Sequence, residues 1–341
     1  ENVKYFTSIG YTFQDAYYKN SATNYKQYDF RTNLDAKINK YISASVSVSG
    51  RQENRSFPDG GGAGDIFRML VRGYPTKPAF WPNGLPGPDI ENGQQPVLIT
   101  TDKTGYNHDN HYVMNTLGKL EINIPGVEGL KVTGDVSLNR NMELTKAWQI
   151  PWYVYSWDYI HYQADGKTPV LTKVARGPAQ ANLSQGSDNL FSSLLDAIVS
   201  YNHSFGNHSI VIQAGVNKEK SNDANFGANR KYYNSVAIDE LNAGGSQEIG
   251  NYGTEWQRAR LSYFGRASYN YKDKYLAEFL WRVDGSYIFP EDHRFGFFPG
   301  ISAGWRISEE NWFKGNVKFI QNLKLRGSWG QTGNDNIINP A

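Results

Sequence analysis

The chain has 341 residues, 39% of them hydrophobic, with a mean hydropathy of −0.61 and a net charge of +2. Acidic and basic side chains are interleaved, which excludes the basic stripe of a nucleic-acid binder. No apolar run reaches the length of a membrane-crossing helix, which excludes a helical span but not a barrel, and cysteine is absent, which separates no compartment from another.

Eleven alternating segments are predicted in chain order, at about 3–14, 27–39, 41–52, 111–124, 130–146, 188–203, 208–218, 257–271, 274–287, 296–307 and 321–332. In the second, Tyr28, Phe30, Leu34, Ala36 and Ile38 oppose Asp29, Arg31, Asn33, Asp35 and Lys37. A period of two is the signature of a strand with one dry and one wet face. The long connection 53–110 contains FRMLVRG at 67–73, a short amphipathic helix, and YPTKPAFWPNGLP at 74–86, where prolines stiffen a loop carrying Phe80 and Trp81. In the segment starting at 130, Leu130, Val132, Val136 and Leu138 oppose Lys131, Thr133, Asp135 and Ser137. The connection 147–187 opens with AWQIPWYVYSWDYIHY, which places Trp148, Trp152, Tyr153, Tyr155, Trp157, Tyr159 and Tyr162 close together. From Arg258 to Tyr271 the alternation is nearly unbroken, with Ala259, Leu261, Tyr263, Gly265, Ala267, Tyr269 and Tyr271 on one face. In the next segment Tyr275, Ala277, Phe279, Trp281 and Val283 oppose Glu278, Arg282 and Asp284, with Leu276 and Leu280 also on the second face. A helical turn is expected in EENWF, within the break 308–320.

Connections alternate between short and long. Lys40, Pro125–Gly129, Gly206–Asn207 and Lys272–Asp273 are tight; 15–26, 53–110, 147–187, 219–256 and 288–295 are mostly long. Repeated long loops are rare in compact domains, whereas an outer-membrane barrel combines short turns on one side with long loops on the other. Tyr41, Tyr201, Tyr269, Tyr271, Tyr275 and Trp305 sit beside the tight turns, where an aromatic girdle meets lipid headgroups. The fold expected is all-β: part of an antiparallel transmembrane β-barrel with long extracellular loops. Eleven strands leave an odd count and two unpaired edges in lipid, so the segment 1–341 reads as a piece of a larger barrel.

The stretch YNYKDKYLAEFLWRVDGSYIFPEDHRFGFFPGISAGWRISEENWF, followed by LKLRGSWGQTGND, resembles the C-terminal barrel region of SusC/RagA-type TonB-linked outer-membrane transporters. YFTSIGYTFQDAYYKNSATNYKQYDFRTNLDAKINKYISASVSVSG resembles the strands that follow the plug in that family. The resemblance implies a closed barrel of about 22 strands, a plug, a TonB-contacting segment and a SusD-like surface lipoprotein as lid. It also implies uptake of oligosaccharides, or in some members of peptides. No TonB box, plug or accessory domain is recognisable between Glu1 and Ala341, so the chain is expected to be the middle of such a transporter.

On that reading Phe80, Trp81, Trp148, Trp152, Tyr153, Tyr155, Trp157 and Tyr159 pack against a lid or a neighbouring loop, or stack on substrate. Arg258, Arg260, Arg266, Glu278, Arg282, Asp284, Arg306 and Arg326 line the lumen, where they contact plug or substrate or pair with one another, because charge facing lipid is costly. No cofactor, metal site or catalytic set is expected. His108 and His111 read as solvated loop histidines without a further ligand cluster, and nothing in the sequence sets Asp158 and Asp165 at the separation of a glycosidase pair. A secreted all-β carbohydrate-binding protein or glycosidase and a simple porin remain rival readings.

Overall fold

The structure, a computed structural model, describes residues 2–60 and 63–335; the end at Ala341 lies outside these. The elements in order are β1 (Val3–Asp15), β2 (Asn24–Lys37), β3 (Ile42–Pro58), α1 (Ala63–Val71), α2 (Pro96–Ile99), β4 (Gly105–Asn123), β5 (Leu130–Gln149), β6 (Trp152–Ser156) and β7 (Thr172–Arg176). They continue with β8 (Asn182–Phe205), β9 (His208–Lys231), β10 (Gly250–Tyr271), β11 (Tyr275–Ser286), β12 (Phe295–Arg306), α3 (Asn311–Asn316) and β13 (Lys324–Gly330). Eleven strands form one antiparallel meander, β1 through β5 and β8 through β13, while β6 and β7 pair apart as a hairpin. The sheet is the wall of a partial transmembrane barrel, with β1 and β13 at its two edges. Among the described residues no helix is long and apolar enough to cross a membrane.

The eleven expected strands are all present, and both short helices form with shifted bounds: α1 starts at Ala63 and stops at Val71, inside FRMLVRG, and α3 starts at Asn311, inside EENWF. The boundaries need correction. Strands β8 and β9 run 24 residues each and β10 runs 22, well past the predicted limits toward the long-loop side. A tilted strand needs about 9–11 residues to cross a bilayer, so about half of each of these strands stands beyond the membrane. There both faces meet water or loops, and the alternation that marks a spanning strand fades.

Register fixes the two faces. Arg266 pairs with Gln213, Gln213 with Ser200, Ser200 with Lys131 and Lys131 with Asn123, giving one continuous polar row. The opposite row, Ala267, Ile212, Tyr201, Leu130, is apolar. On the apolar face the belt runs through Leu130, Val132, Val136 and Leu138 before Arg140, through Ile210, Ile212, Ala214 and Val216 before Lys218, and through Ala36, Leu34, Phe30 and Tyr28 before Lys26. Measured from the short turns, each run is about ten residues, the length a lipid-facing strand requires. Bulky rings in the belt lie over glycine partners. Trp281 covers Gly265 and Phe30 covers Gly50, each its direct cross-strand neighbour.

The short-turn rim is tightly built. Gly129 has φ +83, and a Cβ there would lie 1.8 Å from the Asn202 carbonyl oxygen. That position therefore takes glycine on both conformational and steric grounds. Tyr201, His203, Phe205, His208, Tyr271 and Tyr275 form a run of neighbouring rings on the apolar face, with centroids 4.8–6.3 Å apart. Of the expected girdle residues, Tyr201, Tyr269, Tyr271, Tyr275 and Trp305 lie on that face at this rim, while Tyr41 sits in the turn just before β3. Glu310, beside α3, accepts hydrogen bonds from Tyr275 Oη at 2.6 Å, Trp305 Nε1 at 3.1 Å and Lys274 Nζ at 3.2 Å. These donors, Tyr275 first, hold its carboxyl down at about 2.

Two outcomes follow for the intact membrane-embedded protein. Val199→Arg or Ile212→Arg on the apolar face should destabilise it by about 2–4 kcal/mol in urea unfolding, while Ser200→Arg on the polar face should change stability little. Because the Glu310 carboxyl is depressed, its contribution is complete above the unfolded value near about 4.3 and disappears as pH falls toward the folded value. Amide exchange at 307–323 should therefore accelerate only on acidification below about pH 4, and Glu310→Gln should remove most of that pH dependence.

Candidate functional site

All eight charged residues predicted to line the lumen share the polar face. Asp284 lies opposite Ser262 and Arg282 opposite Phe264; Glu278 faces Ser268 and Ser302, and Arg326 faces Gly304. Most find partners within the wall. Arg260 reaches Asp335 through Nε at 2.7 Å and Nη2 at 3.2 Å, and Glu219 at 3.6 Å. Arg266 donates from Nε to Glu278 at 2.6 Å, where Ser268 Oγ also donates at 2.9 Å. Arg282 pairs with Asp284 at 2.9 Å, and Arg258 lies 4.3 Å from the Trp256 ring. Arg326 lines a cavity of about 700 Å³ near the short-turn end, together with Arg266, Glu278 and Lys324. Arg306 pairs with Lys324 in register at the same end. The exposed pairs each contribute about 0–1 kcal/mol. Their collective effect is a polar, charge-balanced inner surface.

The predicted loop aromatics divide into a core and a display set. Connections 63–104 and 150–181 fold together over the long-loop rim. Ile66, Met69, Leu98, Ile99, Trp152 and Val154 form their buried core, joining α1, α2 and β6. Trp152 is 8% exposed and Trp148, in a second cluster with Leu183 and Tyr233, is 4% exposed. These two are therefore packing residues and make no outward contact. A Cβ at Gly177, φ +72, would come within 2.4 Å of Trp152 Nε1, so glycine allows the ring its seat. Trp81 Nε1 donates to the Tyr155 carbonyl at 2.8 Å, which docks the Phe80–Trp81 loop onto β6. Phe80, Tyr153 and Tyr159 stay exposed, and Lys173 Nζ stands 3.6 Å above the Tyr153 ring. Trp157 packs against Tyr159 and Tyr162 at 4.9 and 5.1 Å, its Nε1 bound to the His161 carbonyl. Tyr159, 61% exposed, has φ +64, a left-handed backbone rare outside glycine that turns the chain at this tip.

Asp158 and Asp165 are turn-forming carboxylates. Asp158 accepts the backbone N–H of His161 at 2.9 Å and of Ile160 at 3.0 Å, and Asp165 those of Thr168 at 2.8 Å and Lys167 at 2.9 Å. The His161 donors hold Asp158 well below the usual carboxylate range, and the Thr168 donors lower Asp165. A glycosidase acid needs the opposite shift.

The expectation for the histidines is overturned. His108 and His111 lie on strand β4, not in a loop, and three positions apart they point to opposite faces. His111 is on the inner face, where it, Asp109 and Glu143 bring ligand-type atoms within 4.8 Å of one another. Arg55 already approaches Asp109 at 3.6 Å, so the group belongs to the charge ladder of the wall. That ladder, with Arg51 and Arg55 flanking Glu53, was hidden because 53–110 reads as one loop; the alternation of RQENR was the available signal. A further polar group beyond the belt joins Asp239 to Tyr106 and to Lys146 Nζ at 2.9 Å. The Tyr106 hydroxyl lowers the Asp239 carboxyl, while burial raises the Tyr106 phenol.

No family model matches the sequence. The chain is 26% identical over 351 aligned residues to TonB-dependent receptor P3 of Formosa agariphila, covering 99% of this chain and 32% of that protein. It is 48% identical over 77 residues to TonB-dependent receptor SusC of Bacteroides thetaiotaomicron, covering 23% of this chain and 8% of that one. The fold is similar to the RagAB peptide importer in its open-open state, with a TM-score of 0.73 and 18% identity over 99% of this chain and 36% of that chain. The chain thus spans about a third of the length of the receptor P3.

The division of the aromatics has a direct consequence. Trp152→Ala should cost about 3–5 kcal/mol in the loop assembly and open 63–104 and 150–181 to limited proteolysis while the strands stay protected. Tyr159→Ala should leave the cleavage pattern unchanged.

Proposed function

We propose, because the chain belongs to the SusC/RagA-type TonB-dependent receptors, that it forms the barrel wall of an importer that takes up oligosaccharides together with a SusD-like surface lipoprotein. Its setting is the bacterial outer membrane. The importer's work divides among parts. This segment supplies the lipid-sealed wall and the outer loops; energy relayed by TonB acts through a plug elsewhere in the protein. No bond-making chemistry is assigned to the segment, and its charged residues act by position.

The observation that carries the reading is the two-faced wall. One face is an apolar belt about ten residues deep. The other is polar, with Arg260, Arg266 and Arg282 each held by a carboxylate, so a polar solute passes no unpaired strong charge at those positions. At the outer rim Phe80, Tyr153 and Tyr159 remain exposed on a loop assembly with its own core, a rigid platform for a lid or a sugar. Rings with few rotatable bonds are well suited to such contacts. The family's peptide importers are the sibling reading, since RagAB, whose fold this chain resembles, is a peptide importer.

The test is transport by the intact gene product in its native outer membrane. Uptake of labelled oligosaccharide should require this gene and TonB, and a surface lipoprotein should co-purify in mild detergent. Uptake that persists without TonB contradicts the importer in favour of a porin. Uptake confined to peptides overturns the sugar assignment, and glycan hydrolysis by the purified protein overturns the non-enzymatic one.

A further inference from the structure

A cavity of about 620 Å³ opens on the inner face at the long-loop rim, where the connection between β1 and β2 meets α1. Its size falls within the roughly 300–1,000 Å³ of small-ligand sites. Tyr17, Tyr25, Phe57 and Phe67 supply its aromatic walls, and Arg51, Glu53 and Arg55 its floor. The floor is prepared in advance. The Glu53 side chain is only 6% exposed and accepts Arg51 Nε at 2.7 Å and an Arg55 guanidinium N–H. Both arginines remain accessible, at 49% and 39%, with donors to spare. Tyr25 is oriented by donating its hydroxyl to Gln27 Oε1 at 2.6 Å.

The loop assembly completes the cavity. The Ala22 N–H donates to the Thr100 carbonyl at 2.8 Å, and Tyr18 packs against the core that holds Ile66 and Met69. The site therefore joins strands β1–β3 to the same platform that displays the outer aromatics.

We infer that this cavity is a binding subsite for a neutral oligosaccharide. The inference rests on the importer reading. Its ionisable lining is balanced, with Arg51 and Arg55 against Asp15 and Glu53, so it carries no net preference for a charged ligand. Aromatic faces carry negative potential that attracts the C–H faces of a sugar ring, while fixed guanidinium donors match hydroxyl acceptors. A peptide held as an added strand needs free ladder groups. Here Tyr25 pairs with Arg55 and Arg55 with Asp109, so the backbone of β2 and β3 at the floor is already paired.

The experiment uses the intact transporter in detergent and its Tyr17→Ala/Phe67→Ala double variant. Both rings are exposed, so their removal spares the fold. Immobilised neutral oligosaccharides, uronate-containing or sulfated oligosaccharides, and a peptide library serve as probes. The wild type should be retained on neutral oligosaccharides, and the double variant should bind them about tenfold more weakly, equivalent to about 1.4 kcal/mol. Retention only on charged glycans or peptides, no retention on neutral glycans, or unchanged binding by the double variant each overturns the subsite. The two readings fail separately. Loss of TonB dependence in wild-type uptake removes the importer reading, whereas intact TonB-dependent uptake with unchanged binding by the double variant removes the subsite alone.

Discussion

Every backbone N–H and C=O that lies in lipid must be paired, because the hydrocarbon offers no water to replace a missing bond. This constraint organises the molecule. It requires unbroken antiparallel ladders, and the ladders from β1 to β13 run without a gap through eleven strands. It also requires partners for the outer edges of β1 and β13, so the wall closes only with further strands. Side chains are then free to differ on the two faces, since each residue's backbone is satisfied in the same way whichever side it presents.

The belt marks how far the constraint reaches. Beyond Lys26, Arg140 and Lys218 the outward positions become mixed, with Lys146, Lys220 and Asn222 among Met142, Leu144 and Phe226, while the strands continue. There the ladder is retained for another reason. Long paired strands carry the loops clear of the membrane and hold their ends at fixed spacing. The loop assembly built on them has a core of its own, and the segment around Asp239 is tied to the outside of β4 and β5 through Tyr106 and Lys146. The inner-face cavity sits at the join between wall and loops, where rigid strands set the floor and α1 sets one wall.

The sequence made the spanning halves of the strands legible because lipid enforces a strict period of two. Arg258–Tyr271 is the clearest case, and its two faces lie where the alternation puts them. The wet halves were not legible. Residues 105–110, 182–187 and 219–231 alternate weakly because neither face is uniformly apolar. The same blindness hid the Glu53 and Arg55 side of the Arg51–Glu53–Arg55 floor and left His108 in a predicted loop. Aromatic density located the loop assembly but did not separate Trp148 and Trp152, which fill cores, from Tyr153 and Tyr159, which do not. That separation depends on contacts between connections distant in sequence, which periodicity does not encode.

The central claim is that the apolar face meets lipid and the polar face does not. Single cysteines placed in turn from Ser209 to Lys218 on β9, a strand without cysteine of its own, can each carry a nitroxide in the intact protein, freed of any other cysteine, within bilayers. Collision rates with oxygen, which concentrates in lipid, should peak at the even positions 210, 212, 214 and 216 and fall at the odd ones, with a period of two. Rates without that period, or even positions more accessible to a water-soluble nickel reagent than to oxygen, would contradict the account.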